Sequence, residues 1–267
     1  MSSPLDILIP TCDRPAALAV TLTGLSYQGF PDFGVVISDQ TPEGNVFTAG
    51  EVKAAVRLLQ RHHTVREYRH LPKRGMAEQR HFLVSLSVAP YVLFLDDDLV
   101  LDPWVVEVML AIIREEGCGF VGCAPIGLSY VGDKRPDEQH IEFWDGRVRP
   151  ETVRPDTPSW ERYKLHNAAN IFHVQEQMGL TPETRRTYRI AWVGGCVLYD
   201  REKLMETGGF SFWHLLPPNH AGEEIVAQLR LMSLYGGCGI IPSGVFHQEL
   251  PTTVPDRKYD APRMIKL

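Results

Sequence analysis

The sequence predicts an α/β fold in which a mostly parallel central sheet is flanked by helices and interrupted by one irregular insert. Three observations carry this. Short β-branched runs alternate with longer helical stretches through the first half of the chain, the pattern of a sheet covered on both faces. Pro15 and Pro103 stand where a first helical turn tolerates proline, and Gly117 stands where a helix commonly stops. One apolar run, Tyr91–Leu95, ends in three consecutive aspartates, and open parallel sheets bind ligands at the carboxyl ends of their strands.

In order, the predicted strands are Leu5–Ile9, Val35–Ser38, Val65–Tyr68, Tyr91–Leu95 and Gly119–Cys123. The predicted helices between them are Ala16–Ser26, Phe47–Gln60, Met76–Ser87 and Pro103–Glu116. From about 125 to 189 the chain is rich in Pro, Asp, Arg and aromatics without a period, as expected of an insert built from short pieces. A strand-like run, Ile190–Tyr199, then a helix, Glu223–Leu234, and an apolar stretch, Gly239–Phe246, follow. The basic, polar end of the chain, 251–267, reads as a flexible arm able to close over a ligand or touch anionic lipid.

Composition narrows the function. A chain of 267 residues is long enough for a sizeable core without disulfides or structural metals. Lys and Arg number 27 against 33 Asp and Glu, a net charge of −6 that offers no general attraction to nucleic acid. The five cysteines form no CxxC pair, which leaves a zinc ribbon or redox dithiol without support and fits a reducing compartment. No stretch reaches the ~20 apolar residues needed to span a bilayer, and the N-terminus lacks a signal-peptide pattern, so the expected location is cytoplasmic.

The triple acid Asp96-Asp97-Asp98 is the strongest chemical signal. Adjacent carboxylates repel unless a cation or hydrogen-bond donors neutralise them, so packing explains them poorly. In an extended segment Asp96 and Asp98 would point the same way and suit a hard divalent cation completed by phosphate oxygens. Asp102, before Pro103, is explained as a helix cap instead. A phosphatase of the haloacid dehalogenase type would place such acids near the N-terminus, and the glycine-rich GxxxxGK[ST] loop is absent.

Five blocks in order resemble family 2 glycosyltransferases of the GT-A fold. Leu8-Ile9-Pro10-Thr11-Cys12-Asp13-Arg14-Pro15 is similar to that family's "IPTYNRP" turn, and Val36-Ile37-Ser38-Asp39-Gln40-Thr41 to its "VVDDGS" strand. Lys73-Arg74-Gly75-Met76-Ala77-Glu78-Gln79-Arg80 resembles "NxGxxxARN" and leads into the DxD strand. Gly194-Gly195-Cys196 through Gly208-Gly209-Phe210 resembles the acceptor-side strand and "GGF" turn, and Gly222-Glu223-Glu224 with Arg230 and Gly236 resembles "GED…R…G".

The resemblance implies a single domain with a smaller acceptor-side sheet: a nucleotide-sugar half over 1–124 and an acceptor half over 125–250. It implies that Pro10, Thr11, Arg14, Asp39, Arg74, Arg80, Asp96 and Asp97 bind the nucleotide sugar, with Asp39 accepting from the base and Asp96 meeting the ribose. Asp98 and His247 would hold Mn2+ or Mg2+. Glu224 falls at the usual position of the catalytic base, normally Asp, with Glu223 in reserve, and Trp192 and Trp213 are acceptor candidates. The implied reaction is inverting transfer from a nucleoside-diphosphate sugar (a UDP-sugar favoured over dTDP or GDP) to a hydroxyl of a glycan, lipid-linked or small-molecule acceptor. The rival readings are a catalytically silent nucleotide-sugar or glycan binder and a sugar nucleotidyltransferase. The second lacks its glycine-rich basic loop, and a QxxRW string of processive polymerases is also absent.

Overall fold

The computed structural model describes residues 3–254 and 257–266. Its centre is an eight-stranded sheet in the order β3-β2-β1-β4-β8-β6-β10-β7. These strands are β1 Leu5–Thr11, β2 Phe33–Asp39, β3 Thr64–Arg69, β4 Tyr91–Leu95, β6 Phe120–Gly122, β7 Arg186–Tyr188, β8 Cys196–Asp200 and β10 Gly237–Ile241. The first four run parallel to one another, β8 runs antiparallel to both β4 and β6, β6 and β10 are parallel, and β7 is an antiparallel edge.

β1, β2 and β4 are buried on both faces, which is why their sequences read as unbroken apolar runs rather than alternating ones. One core packs α1 Pro15–Leu25, α2 Gly50–Leu59 and α4 Val105–Glu116 against one face of the sheet. A second core packs α3 Met76–Ser85, α6 Arg201–Glu206 and α7 Glu223–Tyr235 on the other. Strand order reverses at β1, with β2 on one side and β4 on the other, so their carboxyl ends open a crevice at the switch point.

The departures from expectation have local causes. α2 starts at Gly50, not Phe47, because Val46–Thr48 is a separate 3-10 turn capped by Asn45, whose side chain accepts from Phe47 N. Only the end of the run Ile190–Tyr199 pairs as a strand, within Cys196–Asp200, because Gly195 at φ +78° breaks the extension just before it. Within the insert, Asn170–Met178 forms a regular helix, α5, ended by Gly179 in the left-handed conformation. Two small sheets were not separable in sequence: β5 Leu99–Leu101 with β11 Val245–His247, and β9 His220–Ala221 with β12 Tyr259–Asp260.

Of the terminal stretch expected as a flexible arm, residues 259–265 are docked. β12 pairs in parallel with β9, and the short helix α8, Ala261–Met264, buries Ala261 and Pro262 beside α7. Ile265, at 6% exposure, anchors its end in the second core. Apolar burial holds it there; its few charges do not decide.

Candidate active site

At the switch point the chain forms a cavity of about 720 Å3, walled by the turns after β1 and β4 and by His247. All three aspartates line it. They do not alternate as a strand, because β4 stops at Leu95 and 96–98 is a clamped turn. Asp96 N donates to Gly195 O, Gln248 N donates to Asp98 O, and the Thr21 hydroxyl donates to Asp97 O. Asp96 pairs with Arg80, whereas Asp97 and Asp98 pair with Arg14. Asp97 accepts from the Thr11 hydroxyl at 2.6 Å, and Asp98 from Arg14 Nη1 at 2.7 Å, with Asp97 at 3.4 Å from the same nitrogen. Burial pushes the Asp97 carboxyl up to about 7 against the pull of Thr11 and Arg14. Burial raises Asp98 as well, opposed by His247 and Arg14.

The pairing of β11 with β5 sets His247 opposite Leu99 and brings its Nε2 to 3.6 Å from Asp98. This contact bridges 149 residues of chain and is set by the small sheet together with the bonds from Gln248 N to Asp98 O and from His247 N to Ile126 O. His247 Nδ1 accepts from Glu249 N at 2.6 Å, so in the neutral ring the proton sits on Nε2, facing Asp98.

Three expected nucleotide contacts, Asp39, Arg74 and Arg80, stand off this cavity. Asp39 is fully buried and does not line the cavity: its oxygens accept from Thr41 N, Val46 N and Arg69 Nη1, which fastens the loop after β2. Its neighbour Gln40 lines the cavity in its place. Arg74 is exposed and off the cavity, whereas Lys73 lines it, with Nζ 3.4 Å from Cys12 Sγ. Pro10, Thr11 and Arg14 line it as expected.

Arg80 is 2% exposed and turned into a carboxylate cluster. Its Nε donates to Glu223 at 3.0 Å, and Nη2 lies 3.1 Å from Asp96 and 3.0 Å from Glu224. The Glu224 contact is an ion pair without hydrogen-bond geometry, so Glu224 Oε1 has no hydrogen-bond partner. One guanidinium thus faces three carboxylates. Burial lifts Glu224 to about 8, against the lowering by Arg80 and with help from Asp96 and Glu223. Gly222, at φ +82°, turns the chain into α7 and places both glutamates in its first turn.

These glutamates line a second cavity of about 540 Å3. It shares Met76, Asp96, residues 252–254 and Arg257 with the first, so the two spaces meet at Asp96 under a common roof. Trp192 lines the second cavity; Trp213 lines neither and packs against the second core from the Ser211–Leu215 turn. Gln40 and Lys73 also line the first cavity without a sequence signal, since each is of a type common on any surface, and Trp160, which sequence alone does not tell from a core aromatic, lines the second. Gly195→Ala is expected to cost about 1–3 kcal/mol, because φ is +78° and a Cβ there would meet Asp96 Oδ2 at 3.3 Å. A lowered denaturant midpoint would show it.

Two carboxylates, Asp97 and Asp98, share the single Arg14 guanidinium, and a divalent cation fits beside them. Among the described residues no three Asp, Glu, His or Cys side chains gather to enclose one, so donor oxygens would have to complete its shell. His247 would join only after Nδ1 gives up its contact with Glu249 N.

Fold and site together define a GT-A glycosyltransferase architecture, with paired carboxylates at the switch point of a nucleotide-type sheet. The glycosyl transferase family 2 profile matches residues 6–175, and the chain belongs to that family. Similar solved structures include S. aureus TarS 1-349, with TM-score 0.58, 14% identity, and coverage of 92% of this chain and 60% of that one. TarS 1-349 in complex with UDP-GlcNAc matches with the same TM-score and identity over 95% of this chain and 60% of that one. The mannosyltransferase PcManGT from Pyrobaculum calidifontis, in complex with GDP-Man and Mn2+, matches with TM-score 0.55 and 14% identity over 90% and 57%. The chain thus spans about three-fifths of the length of these neighbours, and the likeness concerns the fold. No curated protein matches the sequence. Among the described residues, no helix is long and apolar enough to cross a membrane.

Proposed function

We propose that this chain is an inverting glycosyltransferase that moves a sugar from a nucleoside-diphosphate donor, a UDP-sugar foremost, to an acceptor hydroxyl. The carrying observation is the meeting of two cavities at Asp96, one holding Arg14, Lys73, Asp97 and Asp98, the other floored by Glu224. Diphosphate would lie in the first, where Lys73 and Arg257 offer positive charge and Arg14 already holds Asp97 and Asp98. The acceptor would enter through the second. Its hydroxyl oxygen bonds to the anomeric carbon as the bond to the diphosphate oxygen breaks, and the diphosphate takes that electron pair. The Glu224 carboxylate, on a side chain that keeps 13% of its surface exposed, accepts the hydroxyl proton. A base set across from the leaving group gives one displacement and hence inversion.

Mn2+ or Mg2+ would be held by Asp98, with Asp97 beside it and His247 as a further ligand, and supplies neutralisation of the diphosphate charge when bound. Complexes of the structural neighbours with UDP-GlcNAc and with GDP-Man and Mn2+ support a nucleotide-sugar donor and divalent metal. Thermal shifts with UDP, dTDP, GDP and CMP, each with and without Mn2+, test the donor site. One nucleoside diphosphate at 100 times its dissociation constant is expected to add about 2.7 kcal/mol. The metal-dependent part of that shift should disappear in Asp98→Asn. A shift with none of the four would sink the reading.

A further inference from the structure

We infer that the second cavity receives an uncharged pyranose, so that the acceptor is a neutral glycoside rather than a phosphorylated alcohol; this rests on the transferase reading above. Three half-buried aromatic side chains, Trp160, Tyr163 and Trp192, line the cavity that Glu224 floors. Tyr163 and Trp192 are near-parallel, with 10° between their planes and 6.4 Å between ring centres, so their faces share one direction. Aromatic faces carry negative quadrupole density and attract the polarised C–H face of a sugar ring, whereas they offer nothing to a phosphate.

Charge points the same way. The lining carries Asp96, Glu223, Glu224 and Asp260 against Arg80 and Arg257, and Arg80 is already spent on three of those acids. A phosphorylated acceptor would enter a net-negative space with one unspent guanidinium. The hydroxyls of a neutral sugar find acceptors in the carboxylates and a ring surface in the aromatics. Trp192 Nε1 is buried without a hydrogen-bond partner.

The platform is built in place. Trp160 and Tyr163 lie on the 3-10 segment Pro158–His166 of the irregular insert. Between them Arg162 grips Glu142 through Nε and Nη2, both at 3.0 Å, and reaches Glu151 through Nη1 at 2.7 Å. On the other side, Gln228 of α7 holds both backbone groups of Val193, at 2.9 and 2.6 Å, next to Trp192. Gln228 sits one turn beyond Glu224, so the helix that carries the base also sets the platform. The insert therefore selects the acceptor.

Saturation-transfer NMR on the whole chain with UDP and diamagnetic Mg2+ tests this, with methyl glycosides of glucose, mannose and N-acetylglucosamine as probes. Glucose 6-phosphate and glycerol 3-phosphate serve as charged counterparts. At least one neutral glycoside should receive saturation on its ring protons, reduced about fivefold or more in Trp160→Ala and Trp192→Ala and unchanged in Trp213→Ala. Trp160, on the outer segment, keeps the test open if Trp192→Ala does not fold. Equal or stronger saturation of the phosphates overturns the inference, as does indifference of the glycoside signal to Trp160→Ala. Nucleotide binding in the thermal-shift assay without any glycoside saturation overturns this inference alone. Loss of all nucleotide binding overturns the transferase reading beneath it.

Discussion

Glu224→Gln is expected to lower kcat by roughly 10^2–10^4-fold, the usual contribution of a general base, while nucleotide binding stays unchanged. Glu224 does not line the donor cavity, so a loss of donor affinity in the variant would argue against its role as base. The pH profile adds a second signature. The base works as an anion, and burial lifts this carboxyl to about 8. For the wild type, kcat/KM is therefore expected to climb tenfold per pH unit below about 8 and level off above it. The residual activity of Glu224→Gln should lack that limb. A catalytically silent binder would show neither effect, and Glu223→Gln, whose carboxylate is hydrogen-bonded to Arg80, should lose far less.

Arg80→Met is expected to be the most destabilising single change in the site. It removes the one cation set among Asp96, Glu223 and Glu224 and leaves buried carboxylates facing each other. Breaking a buried pair in this way costs about 3–5 kcal/mol, which corresponds to a fall in Tm on the order of 10 °C for a chain of this size. The sign of the pH dependence follows from Glu224, whose folded value lies above its unfolded one. Its protonated form is favoured by folding, so that contribution is fully present below about 4.5 and is lost as pH rises through about 8. The defect of Arg80→Met should therefore shrink on acidification and shrink again when Glu223→Gln is added. Calorimetric Tm across pH 5 to 8.5 reads both. A uniform loss across that range would assign Arg80 a packing role only.

Arg80 also shows where reading the sequence ends. In the string Gly75-Met76-Ala77-Glu78-Gln79-Arg80 it is one arginine among several and pairs naturally, in expectation, with a diphosphate. Whether an arginine in a helix faces solvent or a core depends on what packs against that helix, and α3 lies beside α7. Asp39 tells the same story: the turn after β2 uses both of its oxygens, and no local pattern reveals that a loop amide seven residues on needs one of them. Trp213 was unreadable for the same reason, since an aromatic in a core and one in a sugar site have the same neighbours in sequence.

What was legible follows from short-range rules. The strands β1, β2 and β4 and the helices α1, α3, α4 and α7 stand close to their predicted bounds, because apolar runs, proline starts and glycine stops act within a few residues. The insert resisted, since its 3-10 turns are held by ion pairs such as Arg162 with Glu142 and Glu151 rather than by periodicity. The terminal stretch resisted too, because its anchor is the fit of Ala261, Pro262 and Ile265 into a core assembled elsewhere.

By itself, then, the sequence determined the sheet-and-helix alternation, the position of the three aspartates at a strand end and the placing of Glu223 and Glu224 at a helix start. Each is set by interactions between near neighbours. Tertiary structure alone decided that Asp97 and Asp98 share Arg14 while Asp96 turns to Arg80, that His247 arrives beside Asp98, and that Trp160 and Tyr163 stand before Glu224. Those contacts join segments far apart in the chain, and their geometry is fixed by sheet pairing and by the burial of faces against one another, which no local pattern encodes.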